Sequence, residues 1–142
     1  MSKKYKIGYT QGVFDMFHIG HLNLIKNAKK NCEFLIVGVN SDILVESYKH
    51  LKPNINENDR ATIINNIKGV DKTIIVDTLD KKEIYNTIKF DCIFIGDDWI
   101  NDARWQKTVE EMREIGVDVV FLPYTKKISS TALRKKLGEQ NS

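Results

Sequence analysis

Two histidines, His18 and His21, stand three residues apart where an apolar run gives way to a helical pattern. Residues at this spacing share one face of a helix, so both imidazoles are predicted on one face of a first turn. A helix N-terminus adds N–H donors and positive potential, while Gly12 and Gly20 are expected to permit a tight turn and a close approach of the backbone. The pattern predicts a site for an oxyanion such as a phosphate.

A metal pair or two unrelated surface histidines would give the same spacing. A zinc site needs further Cys or His ligands at suitable spacing, and the remaining ones are His50, Cys32 and Cys92. Both cysteines adjoin apolar runs, which predicts buried thiols, and we expect them to be reduced. Anion binding is the favoured interpretation, and it suits phosphoryl or nucleotidyl transfer, because such reactions depend mainly on positioning and charge stabilisation.

Five short, apolar, β-branched runs alternate with segments of helical periodicity. These runs and segments predict the strands and helices that position the histidines. This alternation is typical of βα units that build a parallel sheet, and nearly continuous apolar strands indicate helices on both faces. We therefore predict an α/β fold: one Rossmann-like, doubly wound domain over residues 1–142 with a five-stranded parallel sheet. The predicted strands are 6–10, 34–39, 73–76, 92–96 and 117–122, and the predicted helices include 22–28, 58–67, 81–88, 104–115 and 130–137.

In such folds ligands bind beyond the carboxyl ends of the strands. Polar clusters do follow the predicted strands, including Asn40-Ser41-Asp42, Gly96-Asp97-Asp98-Trp99 and Ser129-Ser130-Thr131. Residues 46–57 form the longest segment without a clear pattern, which predicts a loop that covers the substrate. The site is therefore expected at one edge of the sheet.

The charges exclude some classes of partner. The net charge is +3, from 22 Lys and Arg against 19 Asp and Glu, and these residues are spread along the chain. Such a distribution argues against a nucleic-acid arm or a membrane patch. No secretory signal and no run of about 18 apolar residues is present. We expect a soluble, cytoplasmic protein with neither nucleic acid nor membrane as a partner.

The run His18-Ile19-Gly20-His21 resembles the His-x-Gly-His signature of the nucleotidylyltransferases, and most closely the cytidylyltransferases that act on phosphorylated alcohols. The likeness extends from residue 6 to residue 137. Residues 125–130, Thr-Lys-Lys-Ile-Ser-Ser, are similar to the Arg-Thr-x-x-Ile-Ser-Thr signature of that family. The resemblance implies that CTP and a phosphorylated alcohol, with glycerol 3-phosphate as the leading acceptor, give a CDP-alcohol and pyrophosphate.

The resemblance also implies roles for individual residues. His18 and His21 would stabilise the α-phosphate in the transition state, and Lys49 would neutralise charge on the reacting phosphates. Mg²⁺ would be bound chiefly by the triphosphate, with Asp15 as a possible helper, and the protein would form a homodimer. The implied nucleotide-binding residues are Gly12, Val13, Phe14, Gly20, Asp42, Gly96, Asp98, Trp99, Thr125, Ile128, Ser129, Ser130 and Thr131.

Several positions depart from the pattern of glycerol-3-phosphate enzymes. Val13 replaces a Thr, Tyr124 replaces the Arg of the signature, and Leu79 stands where a Trp is common. Other acceptors therefore stay open, namely phosphoethanolamine, phosphocholine or a polyol or sugar phosphate, as do ATP in place of CTP and a non-catalytic CTP-binding protein. The residues predicted to bind the acceptor are Lys68, Lys81 and Lys82.

Overall fold

The protein is built on one five-stranded parallel sheet. A computed structural model describes residues 4–124, with the strands in the order β3-β2-β1-β4-β5. The predicted Rossmann-like α/β fold is confirmed, and each predicted strand is found within two residues of its expected bounds. The strands are β1 (Tyr5–Gly12), β2 (Cys32–Asn40), β3 (Lys72–Val76), β4 (Cys92–Gly96) and β5 (Asp118–Leu122).

Helices connect the strands and cover the sheet. Four of the five predicted helices are present, and the fifth, 130–137, lies outside the described residues. Within residues 4–124 no helix is long and apolar enough to cross a membrane. The helices are α1 (Ile19–Lys30), α2 (Asp42–Lys49), α3 (Glu57–Asn65), α4 (Lys81–Thr87) and α5 (Ala103–Glu114), and a 3₁₀ turn covers Asp97–Trp99.

Two apolar cores lie on opposite faces of the sheet, because successive side chains of a strand point to opposite sides. In β4, Phe94 belongs to the core under α1 and α3, whereas Ile93 belongs to the core under α4 and α5. Ile25 of α1 is fully buried in the first core and Met112 of α5 in the second. The sheet is thus packed between helices on both faces, and this packing fixes the positions of its strand ends.

Helix α2 corrects the predicted loop over residues 46–57. Ser41 caps the helix, since its side chain accepts a hydrogen bond from the Leu44 N–H at 3.1 Å, and Leu44 and Val45 are buried. The helix ends at His50, whose backbone is left-handed with φ 58°. Lys49 is therefore the last residue of a helix, and the irregular connection to α3 is shorter than expected.

The topology brings the strand ends of the two halves together next to β1. This strand pairs with β2 on one side and with β4 on the other, so the chain winds in opposite directions from this point. Ligands of doubly wound sheets bind at such a switch point, outside the carboxyl ends of the strands. The loop between β1 and α1, which carries the histidine pair, lies at this position.

Candidate active site

A cavity of about 350 Å³ lies at the carboxyl edge of the sheet. Its walls come from the ends of β1, β2 and β4, from the end of α2 and from the first turns of α4 and α5. Many of the predicted site residues meet there, whereas His18 and Gly20 lie beside it in the first turn of α1. The predicted residues on the cavity wall are Gly12, Val13, Phe14, Asp15, His21, Lys49, Lys81, Gly96, Asp98 and Trp99.

The two histidines form a capping box at the start of α1. Nδ1 of His18 accepts a hydrogen bond from the Gly20 N–H at 3.0 Å, and Nδ1 of His21 accepts one from the His18 N–H at 3.2 Å. The rings stack with their centroids 3.9 Å apart and their planes inclined by 24°. Because both Nδ1 atoms are acceptors, each neutral ring carries its proton on Nε2. The pair thus offers two N–H donors of fixed orientation.

Both imidazoles are neutral at pH 7. Burial lowers the pKa of His18, and burial together with the nearby His18 lowers the pKa of His21 to about 4, against the opposing effect of Asp15. Nε2 of His18 is buried and has no hydrogen-bond partner among residues 4–124. A buried donor without a partner is costly, so this atom indicates a ligand that accepts a hydrogen bond.

The turn between β1 and α1 differs from the expectation for Gly12. The left-handed positions are Phe14, with φ 54°, and Met16, with φ 51°. Gly12 is needed for a different reason: a Cβ there would lie 3.2 Å from the Phe14 ring. That ring meets His21 edge to face, with the centroids 5.4 Å apart. Gly12 therefore leaves space for the aromatic ring that packs against the His21 imidazole.

Asp15 binds the backbone of the connection between α2 and α3 and holds it beside the cavity. It is 1% exposed, and its carboxylate accepts hydrogen bonds from the N–H groups of Asn54 at 2.8 Å and Ile55 at 2.9 Å. Both oxygens are thereby engaged. Within residues 4–124 no group of three His, Cys, Asp or Glu residues is arranged to hold a metal ion. Asp15 thus holds the connection between α2 and α3 against the cavity wall.

Arg60 ties together the loops that follow β1 and β2. Its fully buried guanidinium donates to the carbonyls of Val13 and Asn40, both at 2.8 Å, and forms an ion pair with Asp42 at 2.6 Å. Asp42, predicted to bind the nucleotide, does not line the cavity. The structure instead makes it the counter-ion of Arg60, which shapes the loop that carries Val13.

The three lysines predicted to bind the acceptor lie in different places. Lys81 lines the cavity, is 8% exposed and donates from Nζ to the Leu79 carbonyl at 2.9 Å. Burial and the positive charge of Arg104 lower the pKa of Lys81 to about 8, against the opposing effect of Asp80. Lys82 is exposed and not on the cavity wall. Lys68 precedes β3 and so lies at the opposite, amino end of the sheet.

The end of β4 forms the wall opposite α2. A Cβ at Gly96 would lie 2.5 Å from Oδ1 of Asp98 and 3.2 Å from the Tyr124 ring, so a side chain at this position would displace Asp98. Oδ1 of Asp97 accepts a hydrogen bond from the Tyr124 N–H at 3.3 Å. The remaining predicted nucleotide-binding residues, Thr125, Ile128, Ser129, Ser130 and Thr131, lie outside the described residues.

Several cavity residues were not among the predicted site residues. Asn40 ends β2, within one of the polar clusters expected at this edge, and Gln11 is the residue before the last of β1. The strand ends are the signal for both, since ligands bind beyond the carboxyl ends of the strands. Tyr48 and Arg104 carry no such signal, because only the packing of α2 and α5 brings them to the cavity. The additional residues on the wall are Gln11, Leu24, Asn40, Tyr48, Leu79, Ile95, Arg104, Trp105, Thr108 and Tyr124.

A doubly wound parallel sheet with imidazole donors at its first helix is an arrangement suited to nucleotidyl transfer. The family model described as cytidylyltransferase-like matches residues 9–136. The chain therefore belongs to the cytidylyltransferase-like family. Membership of this family and the names of its relatives support a nucleotidyltransferase.

Two relatives illustrate the range of the family. The chain is 33% identical over 129 residues to the FAD synthase of Thermococcus sibiricus, covering 89% of this chain and 87% of that protein. It is 34% identical over 129 residues to the bifunctional protein HldE of Hyphomonas neptunium, covering 90% of this chain but only 26% of that protein. The chain thus corresponds to a part of the HldE relatives and to most of the FAD synthase.

A solved structure supports the fold. The lipopolysaccharide core biosynthesis protein from Thermoplasma volcanium superposes with a TM-score of 0.72 at 26% sequence identity, covering 87% of this chain and 99% of that one. The similarity therefore includes nearly the whole of that protein.

Proposed function

We propose that the protein transfers a nucleoside monophosphate from a nucleoside triphosphate to the phosphate of a small phosphorylated alcohol and releases pyrophosphate. The observation that carries this proposal is the histidine pair. Both Nδ1 atoms of His18 and His21 are engaged by backbone N–H groups, so both Nε2–H groups are oriented donors, and that of His18 is buried without a protein partner within residues 4–124. Such donors suit the α-phosphate of a bound nucleotide.

The reaction is an in-line displacement. An oxygen of the acceptor phosphate attacks the α-phosphorus, the bond from that phosphorus to the α,β-bridging oxygen breaks, and pyrophosphate leaves. His18 and His21 donate to the α-phosphate oxygens, and Lys49 neutralises charge on the reacting phosphates. The histidines act as neutral donors, so they need no proton from solution. Mg²⁺, held chiefly by the triphosphate, would neutralise negative charge on the phosphates.

CTP and glycerol 3-phosphate are the first candidates for the two substrates. The motif resemblance of the sequence and the cytidylyltransferase-like family support CTP. Glycerol 3-phosphate rests on the resemblance alone, while Lys81 supplies a buried cation for the phosphate of any such acceptor. A homodimer is likewise proposed from the resemblance.

Adenylyl transfer from ATP is the second candidate. The observation that favours it is the likeness to an FAD synthase, which this chain matches over 87% of that protein's length. The two candidates share the same chemistry at the α-phosphate and differ in the base and in the acceptor.

A pyrophosphate-release assay tests the proposal. The full chain is incubated with Mg²⁺, with CTP or ATP, and with glycerol 3-phosphate, a sugar phosphate, phosphoethanolamine, phosphocholine or FMN. We expect pyrophosphate only when a triphosphate and a phosphorylated acceptor are both present. Pyrophosphate release that is independent of any acceptor, or none with every pair, would contradict the proposed function.

A further inference from the structure

Two cations face the cavity from different helices without a carboxylate partner. Lys81 begins α4, and Arg104 lies in the first turn of α5 next to Trp105, whose ring centroid is 5.1 Å from Nζ of Lys81. Within residues 4–124 neither cation forms a salt bridge, since the ion pairs there are Lys29 with Asp71 and Arg60 with Asp42. Two like charges held in one cavity favour an anionic ligand.

A chain of hydrogen bonds crosses the same cavity and fixes the direction of each amide. Nε2 of Gln11 donates to the Thr78 carbonyl at 3.0 Å and to Oδ1 of Asn40 at 2.8 Å, while Oε1 of Gln11 accepts from the Tyr9 hydroxyl at 2.7 Å. A carbonyl can only accept, so the Thr78 contact fixes which side of Gln11 is the NH₂ group. Oδ1 of Asn40 must then face Gln11.

This direction determines the role of Tyr48. With Oδ1 of Asn40 turned to Gln11, Nδ2 of Asn40 donates to the Tyr48 hydroxyl oxygen at 3.1 Å. The hydroxyl hydrogen of Tyr48 is therefore directed away from Asn40 and available to an acceptor atom. Burial raises the pKa of Tyr48, so the hydroxyl keeps its hydrogen at neutral pH. Tyr48 and Asn40 both line the cavity, which makes Tyr48 a donor to a ligand there.

The charges around the Tyr48 hydroxyl also indicate which chemical group of a ligand would bind beside it. Arg104 and Arg60 both oppose the rise in its pKa, which places positive potential at the hydroxyl. The carboxylates on the cavity wall are Asp15, which accepts hydrogen bonds from Asn54 and Ile55 with both oxygens, and Asp98 in the 3₁₀ turn after β4. At the Tyr48 hydroxyl, Arg104 and Arg60 would repel an ammonium group, whereas a neutral hydroxyl would accept a hydrogen bond from Tyr48.

We propose that Lys81 and Arg104 bind the phosphate of the acceptor and that Tyr48 donates to one of its hydroxyl groups. The acceptor is accordingly a phosphorylated polyol or sugar and not a phosphorylated amino alcohol. This inference rests on the proposed nucleotidyl transfer and adds the class of acceptor and two specificity-determining residues, Arg104 and Tyr48.

Two variants with matched controls test the inference. Arg104→Gln removes the charge, and Arg113→Gln makes the same change in the last turn of α5. Tyr48→Phe removes the hydroxyl, and Tyr85→Phe makes the same change in α4, where the ring packs on Phe90. Steady-state kinetics with glycerol 3-phosphate and glucose 1-phosphate give the KM of the acceptor and of the nucleotide separately, and isothermal titration calorimetry measures the binding of glycerol 3-phosphate alone.

We expect Arg104→Gln to raise the acceptor KM about tenfold or more and Tyr48→Phe to raise it about threefold to tenfold, because charged hydrogen bonds are the stronger ones. The nucleotide KM and both control variants should stay unchanged. Unchanged acceptor KM in both variants, or preference of the wild type for phosphoethanolamine, would overturn the inference.

Calorimetry separates the two proposals. If glycerol 3-phosphate binds in a manner that depends on Arg104 but no triphosphate is turned over, the anion subsite stands and the transferase proposal fails. If turnover occurs and Arg104→Gln binds the acceptor as tightly as the wild type, the transferase stands and the subsite fails. Absence of both turnover and binding would overturn both.

Discussion

The two ends of the cavity are built on different principles. The histidine end uses neutral donors whose contacts run within three residues of sequence, from His18 to His21. The other end, lined by Tyr48, Lys81 and Arg104, has a tyrosine and two cations from α2, α4 and α5, and long-range contacts such as that of Gln11 with Thr78, 67 residues away, hold this end together. A local motif can be recognised in a sequence, whereas a site assembled by tertiary packing cannot. The histidine motif is thus easier to find in the sequence than the residues of the other end.

The largest expected effect is at the histidine end. His18→Ala or His21→Ala should lower kcat about 100-fold or more, because each removes a donor to the α-phosphate in the transition state. Circular dichroism and thermal unfolding should show that the fold is retained. His50→Asn, which keeps a residue tolerant of the left-handed backbone at the end of α2, serves as the histidine control and should leave kcat unchanged. Near-normal turnover in both alanine variants would refute the mechanism.

Arg60 connects the loops that follow β1 and β2, and its loss should act on stability. Arg60→Met would leave Asp42 without its counter-ion and the carbonyls of Val13 and Asn40 without their donor. Removing one partner of a buried pair costs about 3 kcal/mol or more of unfolding free energy. Urea denaturation would measure this loss, with Lys82→Met, an exposed position, as the control. A change below about 0.5 kcal/mol would show that the guanidinium does not hold these loops.

Replacement of Lys49 tests whether its side chain contacts the reacting phosphates or is only solvated. It lines the cavity at the end of α2 and is exposed. Lys49→Ala should lower kcat about tenfold or more and leave the unfolding free energy nearly unchanged, since little packing is lost. Lys52→Ala, in the following connection and exposed, is the matched control. An unchanged kcat would remove Lys49 from the mechanism.

The pH dependence should differ between the two ends. The pKa of Lys81 is lowered to about 8, so raising the pH through 8 removes its charge from the free enzyme and should raise the acceptor KM several-fold. The pKa of His21 is lowered to about 4, so this ring stays neutral and kcat should not depend on its titration between pH 6 and 8. Initial rates measured over this pH range at saturating nucleotide give both the acceptor KM and kcat.

Lys81→Arg sharpens this pH prediction. A guanidinium stays protonated at every accessible pH, so the rise in acceptor KM near pH 8 should disappear in this variant even if its acceptor affinity differs at neutral pH. A rise in KM that persists in Lys81→Arg would assign the titration to a group other than Lys81.

Most of the fold was predictable because its signals are local. Apolar, β-branched runs and helical periodicity identified all five strands, and the predicted helix at residues 104–115 begins one residue after α5 does. Helix α2 was missed because its two turns follow directly on β2, and the cap at Ser41 is a short signal beside a strand end. The turn after β1 was misplaced because Phe14 and Met16, not the glycine, adopt the left-handed backbone.

The site was predictable only in part, for the same physical reason. The positions of His18, His21, Gly96 and Asp98 follow from a motif or a strand end. Asp42 was assigned to the nucleotide because the sequence does not reveal its ion pair with Arg60, 18 residues away. The roles of Tyr48 and Arg104 depend on helices that pack from opposite halves of the chain.

The central claim is that neutral imidazoles promote transfer of a nucleoside monophosphate from a nucleoside triphosphate to a phosphorylated acceptor. The most direct measurement follows the label from α-labelled CTP or ATP into a phosphatase-resistant nucleoside-diphosphate conjugate of glycerol 3-phosphate or glucose 1-phosphate. It compares the wild type with the double variant His18→Ala/His21→Ala. The account predicts a labelled conjugate from the wild type and at least about 100-fold less from the double variant. No labelled conjugate from the wild type, or equal amounts from both proteins, would contradict it.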